Sequence, residues 1–378
     1  MARFEVPRPG LVESLRARAI DRGPLLLTGP PGAGKTTLLL ELAGVLAREG
    51  WRPVYLDLMA AASSPDRFVA AALDVLPADQ FRDRLAQATE IRRLAGAGRQ
   101  RGVDAVQALF ALWSSLDQAA GRPVALLLDE ATEIRSLAYF PGLRQAHKTL
   151  VAALGARRRG TVLATSYHTL ARELWPGLDA LAIPPLSAAD LAPVLRAGGV
   201  AAPAEALVLA SFGWPRHVRV LVARLAEGAD LVAAWAEEMA GGGQLELACR
   251  HTYESLLLRS RGYGICKAVL AAVAREEGLN LTALVARLGR TPGATRDYLQ
   301  WLVGVDALRV VKKRYYYVDG LIRQWVRLHG RGAPPTPAEL LAAARGVIRP
   351  EGRAQKAPET PPAAEPALPR RDTLMEID

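Results

Sequence analysis

The chain has little cysteine: two residues in 378, Cys249 and Cys266. Two thiols cannot build a disulfide framework or a four-cysteine zinc site. Disulfide-stapled secreted scaffolds and zinc fingers are therefore excluded. Long apolar runs are missing as well. No stretch approaches the roughly 18 apolar residues that a spanning helix needs. The N-terminal MARFEVPRPG lacks the basic-then-apolar order of a signal peptide. The expectation is a cytoplasmic setting and no membrane partner. Lysine is scarce beside arginine, a habit of composition that says nothing about function. Charged residues make up 23%, too few for a disordered polyelectrolyte.

What is present is a long, apolar chain. Hydrophobic residues account for 50% of it, and its length allows two or three domains with a substantial core. The net charge is +10, and its placement matters more than its size. Residues 250–330 hold 14 Lys/Arg against 6 Asp/Glu, a balance of +8. A basic segment of this kind points to a polyanionic partner, nucleic acid first, or to a solvated basic face.

Short apolar runs recur along the first half: LLLT at 25–28, VYLDL at 54–58, VALLLDE at 124–130, TVLATS at 161–166 and LDALAIPPL at 178–186. Helical segments separate them, including one at about 143–156. Residues 66–118 are also helical in spacing, with a break near Gly96–Gly102. This alternation predicts an α/β core, a parallel sheet covered by helices on both faces. After Pro184-Pro185 the strands stop and short helices follow to about residue 240. The predicted domains are a core over 1–186, a helical lid over 187–243, a third domain over 244–331, and a disordered Pro/Ala-rich tail over 332–378 that ends in the apolar-acidic DTLMEID. That ending is either a docking peptide for a protein partner or simply a terminus.

The strongest local signal is Gly29-Pro30-Pro31-Gly32-Ala33-Gly34-Lys35-Thr36, followed by Thr37. It fits G-x-x-x-x-G-K-[ST] in full, after a strand and before a helix. Glycines let the backbone curl with its N–H groups inward, and the next helix adds its positive end. Lys35 is placed for the β- and γ-phosphates of ATP, and Thr36 for Mg²⁺. The run Leu126-Leu127-Leu128-Asp129-Glu130 ends a strand on two acids, at the sheet edge where ligands bind. Asp129 is the candidate for the metal shell and Glu130 for orienting the attacking water. Asp57, ending another strand, is a weaker competitor. Ser166, after the fourth strand, either hydrogen-bonds the γ-phosphate or caps the next turn. His168 reads as an ordinary loop histidine.

Residues 263–318 read as helix, helix, tight turn, helix and hairpin, with Leu281, Leu284, Val285 and Leu288 on one apolar face and Tyr298, Leu299, Leu302 and Val303 on another. This order resembles a winged helix-turn-helix. In it, Thr291, Thr295, Arg296 and Gln300 are the candidates to face duplex DNA. Lys312, Lys313 and Arg314, at the hairpin tip, are the candidates to touch phosphates. At least one of Tyr315–Tyr317 must face the core. Winged helices also serve as protein-contacting modules, so both partners stay open.

Taken together, the phosphate loop, the Asp-Glu strand, the polar fourth strand and the helical lid resemble AAA+ and STAND-type P-loop ATPases, over about residues 5–330. The resemblance implies an ATP-hydrolysing enzyme with Mg²⁺. Within it, Gly213-Trp214-Pro215-Arg216 is similar to the sensor element of origin-recognition-type ATPases, which implies that Arg216 reaches the nucleotide phosphates. Val6 to Arg8 are similar to the segment that covers adenine. Arg157-Arg158-Arg159, just before the fourth strand, stand where many AAA+ proteins carry an arginine that reaches a neighbour's γ-phosphate; that implies a homo-oligomer in the ATP state. The same run also reads as a solvated basic loop. The function expected is an ATPase controlling a DNA-binding module in replication, repair, transposition or transfer. The alternative is a signalling switch whose winged helix contacts protein.

Overall fold

The computed structural model describes residues 5–76, 85–96, 99–116, 122–157, 159–258, 260 and 262–349. Its first unit comprises Met1–Ala201 and Trp214–Val222. In chain order this unit runs α1 (Pro9–Asp21), β1 (Leu25–Thr28), α2 (Lys35–Arg48), β2 (Arg52–Asp57), α3 (Leu58–Ala61), α4 (Pro65–Asp74), α5 (Leu85–Ala95) and α6 (Arg99–Ser114). It continues with β3 (Val124–Asp129), a 3₁₀ helix (Ala131–Tyr139), α7 (Ala146–Gly155), β4 (Thr161–Thr165), α8 (His168–Leu174), β5 (Asp179–Ala182) and α9 (Ala188–Ala197). The five strands are parallel in the order β2-β3-β4-β1-β5. The expected break in the helical stretch falls between the end of α5 at Ala95 and the start of α6 at Arg99, and residues 97 and 98 lie outside the described residues. Gly102 lies inside α6 instead, where a Cβ would come within 3.3 Å of Pro65.

Strand alternation fills a core on each face. Leu26, Val54, Leu56, Leu126, Leu128 and Leu163 pack with α4, α6 and α7. Leu25, Leu27, Ala125, Leu127, Val162 and Ala164 pack with α1 and α2. Burial on both sides is why these strands read as continuous apolar runs. Because all five are parallel, their C-terminal ends share one edge. Thr28, Asp129 and Thr165 all end strands there.

Arg157 lies at the opposite edge. It is 1% exposed. Its Nε donates to Thr161 Oγ1 (3.2 Å), Nη1 to the Trp113 carbonyl (3.2 Å) and Nη2 to the Val124 carbonyl (2.6 Å). This guanidinium thus ties α6 to the starts of β3 and β4. A group so enclosed cannot reach a neighbouring subunit, which corrects the arginine-finger expectation for Arg157. Arg159 is exposed, but its guanidinium lies 5.3 Å from the Trp51 ring, just ahead of β2 and so also at the N-terminal edge. Arg158 falls outside the described residues.

The second unit comprises Ala202–Gly213 and Ala223–Asp378. It holds α10 (Ala204–Ser211), the end of α11 (Pro215–Ala226), α12 (Leu231–Met239), α13 (Gln244–Leu258), α14 (Tyr263–Arg275), α15 (Leu281–Leu288), α16 (Pro292–Gly304), β6 (Leu308–Val311), β7 (Arg314–Tyr317), α17 (Gly320–His329) and α18 (Pro337–Ile348). The lid expected over 187–243 is therefore no separate body: α9 belongs to the first unit, α10 and α12 to the second. The tail expected to be disordered from residue 332 carries α18 instead. A capping box of Thr336 and Glu339 starts it, Pro337 sits in its first turn, and Leu340, Ala344, Val347 and Ile348 are buried. The proline count obscured a strong helix start followed by an Ala/Leu-rich apolar face. Residues 350–378 lie outside the described residues.

Arg157→Met should lower stability by about 2–4 kcal/mol, because it strands buried carbonyls. Urea unfolding checks this, and a wild-type midpoint would refute the structural role.

Candidate nucleotide site

The loop between β1 and α2 curls as the sequence predicts. Gly32 and Gly34 have φ of 87° and 95°, a region that costs other residues strain. Gly34 is also the N-cap of α2, so no side chain closes that helix end, and a Cβ there would meet nothing within 4 Å. A helix N-terminus opening on free space is a phosphate cradle by its electrostatics. At Gly32, in contrast, a Cβ would lie 2.9 Å from the Arg216 Cβ. The Arg216 amide donates to the Gly32 carbonyl (3.3 Å). Arg216 thus stands against the loop with an exposed side chain, while Trp214 packs into the α1–α2 core.

Lys35 is 5% exposed. Its ammonium donates to the carbonyls of Gly29 (3.0 Å) and Pro30 (3.4 Å) and to Ser166 Oγ (2.7 Å). Glu130 Oε1 lies 3.5 Å away. Burial pushes the Lys35 pKa below its ordinary value, against the opposing pull of Glu130 and Asp129. Ser166 donates in turn to Glu130 Oε1 (2.7 Å), and its amide donates to Oε2 (3.1 Å). The serine therefore holds both oxygens of this carboxylate. Glu130 itself sits at φ 44° and ψ 47°, left-handed backbone for a non-glycine residue. That conformation turns the chain away from β3 immediately after Asp129, and it is strain of the kind found at functional sites.

Thr36 donates to Asp129 Oδ2 (2.6 Å). The same oxygen accepts from the Tyr55 hydroxyl (3.0 Å), and Oδ1 accepts from the Glu130 amide (3.0 Å). A hydroxyl and a carboxylate are hard oxygen donors that suit Mg²⁺, so these residues fit the ion that the motif implies. Asp57 does not compete: its carboxylate accepts from the Met59 amide and caps α3. Arg8, at the start of α1, donates to the Pro184 carbonyl (2.8 Å), and burial lowers its pKa. Pro30, Pro31, Ala33 and Thr37 complete the loop and its helix start, with Thr37 exposed.

Two neighbours had no part in the site as the sequence reads it, His168 standing there as an ordinary loop histidine. Tyr55 is the first. Its one signal was a polar tip on an otherwise apolar strand. His168 is the second. It opens α8 and its Nδ1 lies 3.0 Å from Thr28 Oγ1, at the end of β1. Burial lowers its pKa, with help from Arg172.

In the second unit, α14, α15, α16 and the β6–β7 hairpin follow in the expected order. Leu279 bridges to Tyr315 beside the hairpin. Tyr317 is buried with its hydroxyl on the Leu270 carbonyl (2.7 Å). Lys312 and Lys313 form the two-residue turn with φ of 49° and 62°, and both are exposed, as are Arg296 and Arg314. Arg314 donates to the Gly278 carbonyl (2.7 Å). Gln300 is half-buried, and Thr291 caps α16 through its hydroxyl. Thr295 departs from the expectation. It is fully buried and donates to the Thr291 carbonyl (3.0 Å). Thr295, Leu299 and Leu302 share the core face at i, i+4 and i+7, so Thr295 cannot face a ligand.

A curled glycine loop at the C-terminal edge of a parallel sheet, with a buried lysine and an Asp-Glu pair across from it, defines a P-loop NTPase domain. Residues 19–163 match the family model described as AAA domain. No curated protein matches it. Among solved structures, the Walker-type ATPase of Pyrococcus abyssi aligns at 15% identity over 85% of this chain and 96% of its own, with a TM-score of 0.63. The ORC2 protein of Aeropyrum pernix, solved as ADPNP–ADP complexes, aligns at 17% identity over 90% and 93%, with a TM-score of 0.47. Cdc6p of Pyrobaculum aerophilum gives 14%, 92%, 97% and 0.39. At these identities the first of the three speaks to fold, and the other two carry no argument. No helix among the described residues is long and apolar enough to cross a membrane.

The lowered His168 pKa has a stability consequence. The unfolded chain takes up its proton near pH 6.5, before the folded protein does, so stability is lost as pH falls through that value. His168→Gln should flatten this acid-side loss. Urea midpoints at pH 7.5 and 5.5 check it; equal losses in both proteins would remove the assignment.

Proposed function

We propose that this protein binds ATP with Mg²⁺ and hydrolyses the γ-phosphate, and that its nucleotide state controls DNA binding by the helix–hairpin module of the second unit. One observation carries the first part. Lys35, Thr36, Asp129, Glu130 and Ser166 converge on one sheet edge beside an uncapped helix N-terminus.

Each residue then has a role. Backbone N–H groups of Gly29 to Thr37 cradle the phosphates. Lys35, drawn off Ser166 and the loop carbonyls, pairs with the β- and γ-phosphates. Thr36 and Asp129 hold Mg²⁺, which when bound supplies charge neutralisation between phosphates. Glu130, once released by Ser166, orients the attacking water, and Ser166 turns its hydroxyl to the γ-phosphate or that water. Arg216, standing on Gly32, is near enough to the loop to extend toward the phosphates. Arg8, beside Pro184, borders the side where the base would lie. With Arg157 enclosed, an arginine finger in this run is left to Arg158 and Arg159, and sizing of an ATP-trapped variant tests assembly in the ATP state. A cytoplasmic location accords with this function.

The DNA reading rests on the +8 balance of residues 250–330 and on exposed Arg296, Lys312, Lys313 and Arg314. Two lysines in left-handed backbone make a tight turn that holds their charges at the hairpin tip. Replication, repair, transposition and transfer are all processes in which such a module would act. The protein-contact reading draws on Leu258, 77% exposed at the end of α13, and on half-exposed Val310 on the hairpin.

Glu130→Gln should retain ATP and cut turnover by at least about 100-fold, whereas Lys35→Ala should lose ATP binding. Calorimetry with Mg–ATP and phosphate release measure the two. Near-normal activity in either variant would overturn the roles. Duplex DNA titrated at two salt concentrations tests the second part. Affinity should fall steeply with salt, and Lys312→Ala with Lys313→Ala should reduce the slope by about 2. No binding at low salt would leave the protein-contact reading.

A further inference from the structure

Tyr55 sits in the middle of β2, opposite Leu127 of β3 in the parallel register that also pairs Asp57 with Asp129. Strand alternation sends Val54 and Leu56 into the core behind the sheet. Tyr55 therefore turns to the other face, where Leu127 lies and α2 packs. Asp129, two residues beyond Leu127, shares that face. The tyrosine ring lies against the α2-side core, and its hydroxyl reaches diagonally forward to Asp129 Oδ2 at 3.0 Å. Burial and the Asp129 charge both raise the Tyr55 pKa, so the group is a neutral donor at all ordinary pH values.

The contact fixes one carboxylate in a particular plane. Asp129 Oδ2 takes hydrogen bonds from Tyr55 and from Thr36 (2.6 Å), and Oδ1 takes one from the Glu130 amide (3.0 Å). When the Thr36 hydroxyl turns to a metal ion, the Tyr55 and Glu130 bonds are those that still set the carboxylate's orientation. Groups that orient a metal-binding carboxylate in this way change metal affinity by 10–100-fold when removed.

We propose that Tyr55 is a positioning residue for the Mg²⁺ of the nucleotide site, acting through Asp129. This rests on the ATP reading above and assigns to β2 a part in it. Its effect is on the metal and not on the nucleotide base or on the fold. Phenylalanine at this position keeps the ring in the α2-side core and removes only the hydroxyl, which separates the two.

The test is Tyr55→Phe in the full chain. A fluorescent ATP analogue is titrated onto wild type and variant in EDTA and over a series of Mg²⁺ concentrations. The half-saturating Mg²⁺ should rise about 10-fold in the variant, while affinity in EDTA stays within about two-fold. ATP turnover should recover toward wild type as Mg²⁺ is raised. An unchanged Mg²⁺ dependence would overturn the proposal, and so would an equal loss of affinity in EDTA, which marks a general disturbance of the site. If wild type itself shows no Mg²⁺-dependent binding, the ATP reading fails first and Tyr55 loses its role with it.

Discussion

A lysine ammonium taken out of water is the constraint on which the first unit depends. Lys35 must be buried to stand at the head of α2, and a buried cation needs acceptors on every side. The loop supplies two carbonyls by curling through Gly32 and Gly34, and β4 supplies Ser166 at its end. Glu130 supplies countercharge from just past the end of β3, on the other side of β4. The ends of β3 and β4 and the loop after β1 are thereby pinned to a single atom. A triphosphate, bound as proposed, would offer that atom stronger partners than two carbonyls and a hydroxyl, and so would couple ligand binding to loop geometry through the same charge.

The sheet makes this possible through its parallel order. Every strand ends at one edge, so polar residues that terminate apolar runs meet there without any sequence proximity. Alternation then sorts them by face. Asp129 and Tyr55 share the α2 side, where Thr36 begins its helix. Arg157 shows the reverse case. It stands just before a strand, hence at the far edge, where its charge is enclosed by backbone carbonyls and serves cohesion.

The second unit solves a different problem. Its basic residues would repel one another if crowded, and several are paired locally: Arg323 with Glu277, Arg287 with Glu276, Lys267 with Glu254. Those on α16 and the hairpin tip stay exposed. The tight turn of Lys312 and Lys313 keeps two charges together in backbone that lysine does not favour, and only a well-paired hairpin holds them there.

By itself the sequence determined the five strand positions, the glycine loop, the Asp-Glu pair and the helix–hairpin order, because burial period, turn chemistry and motif spacing are local properties of the chain. Tertiary structure alone decided where separate segments meet. Tyr55 joined the site only through β2–β3 register. Arg157 left the list of candidates only when three elements enclosed it, and Thr295 did so when its helix turned that face to the core. The helix at Pro337–Ile348 did have its local signals, a capping box and an apolar face, and only the proline count hid them. Contacts between distant residues follow from packing, and no local pattern records them.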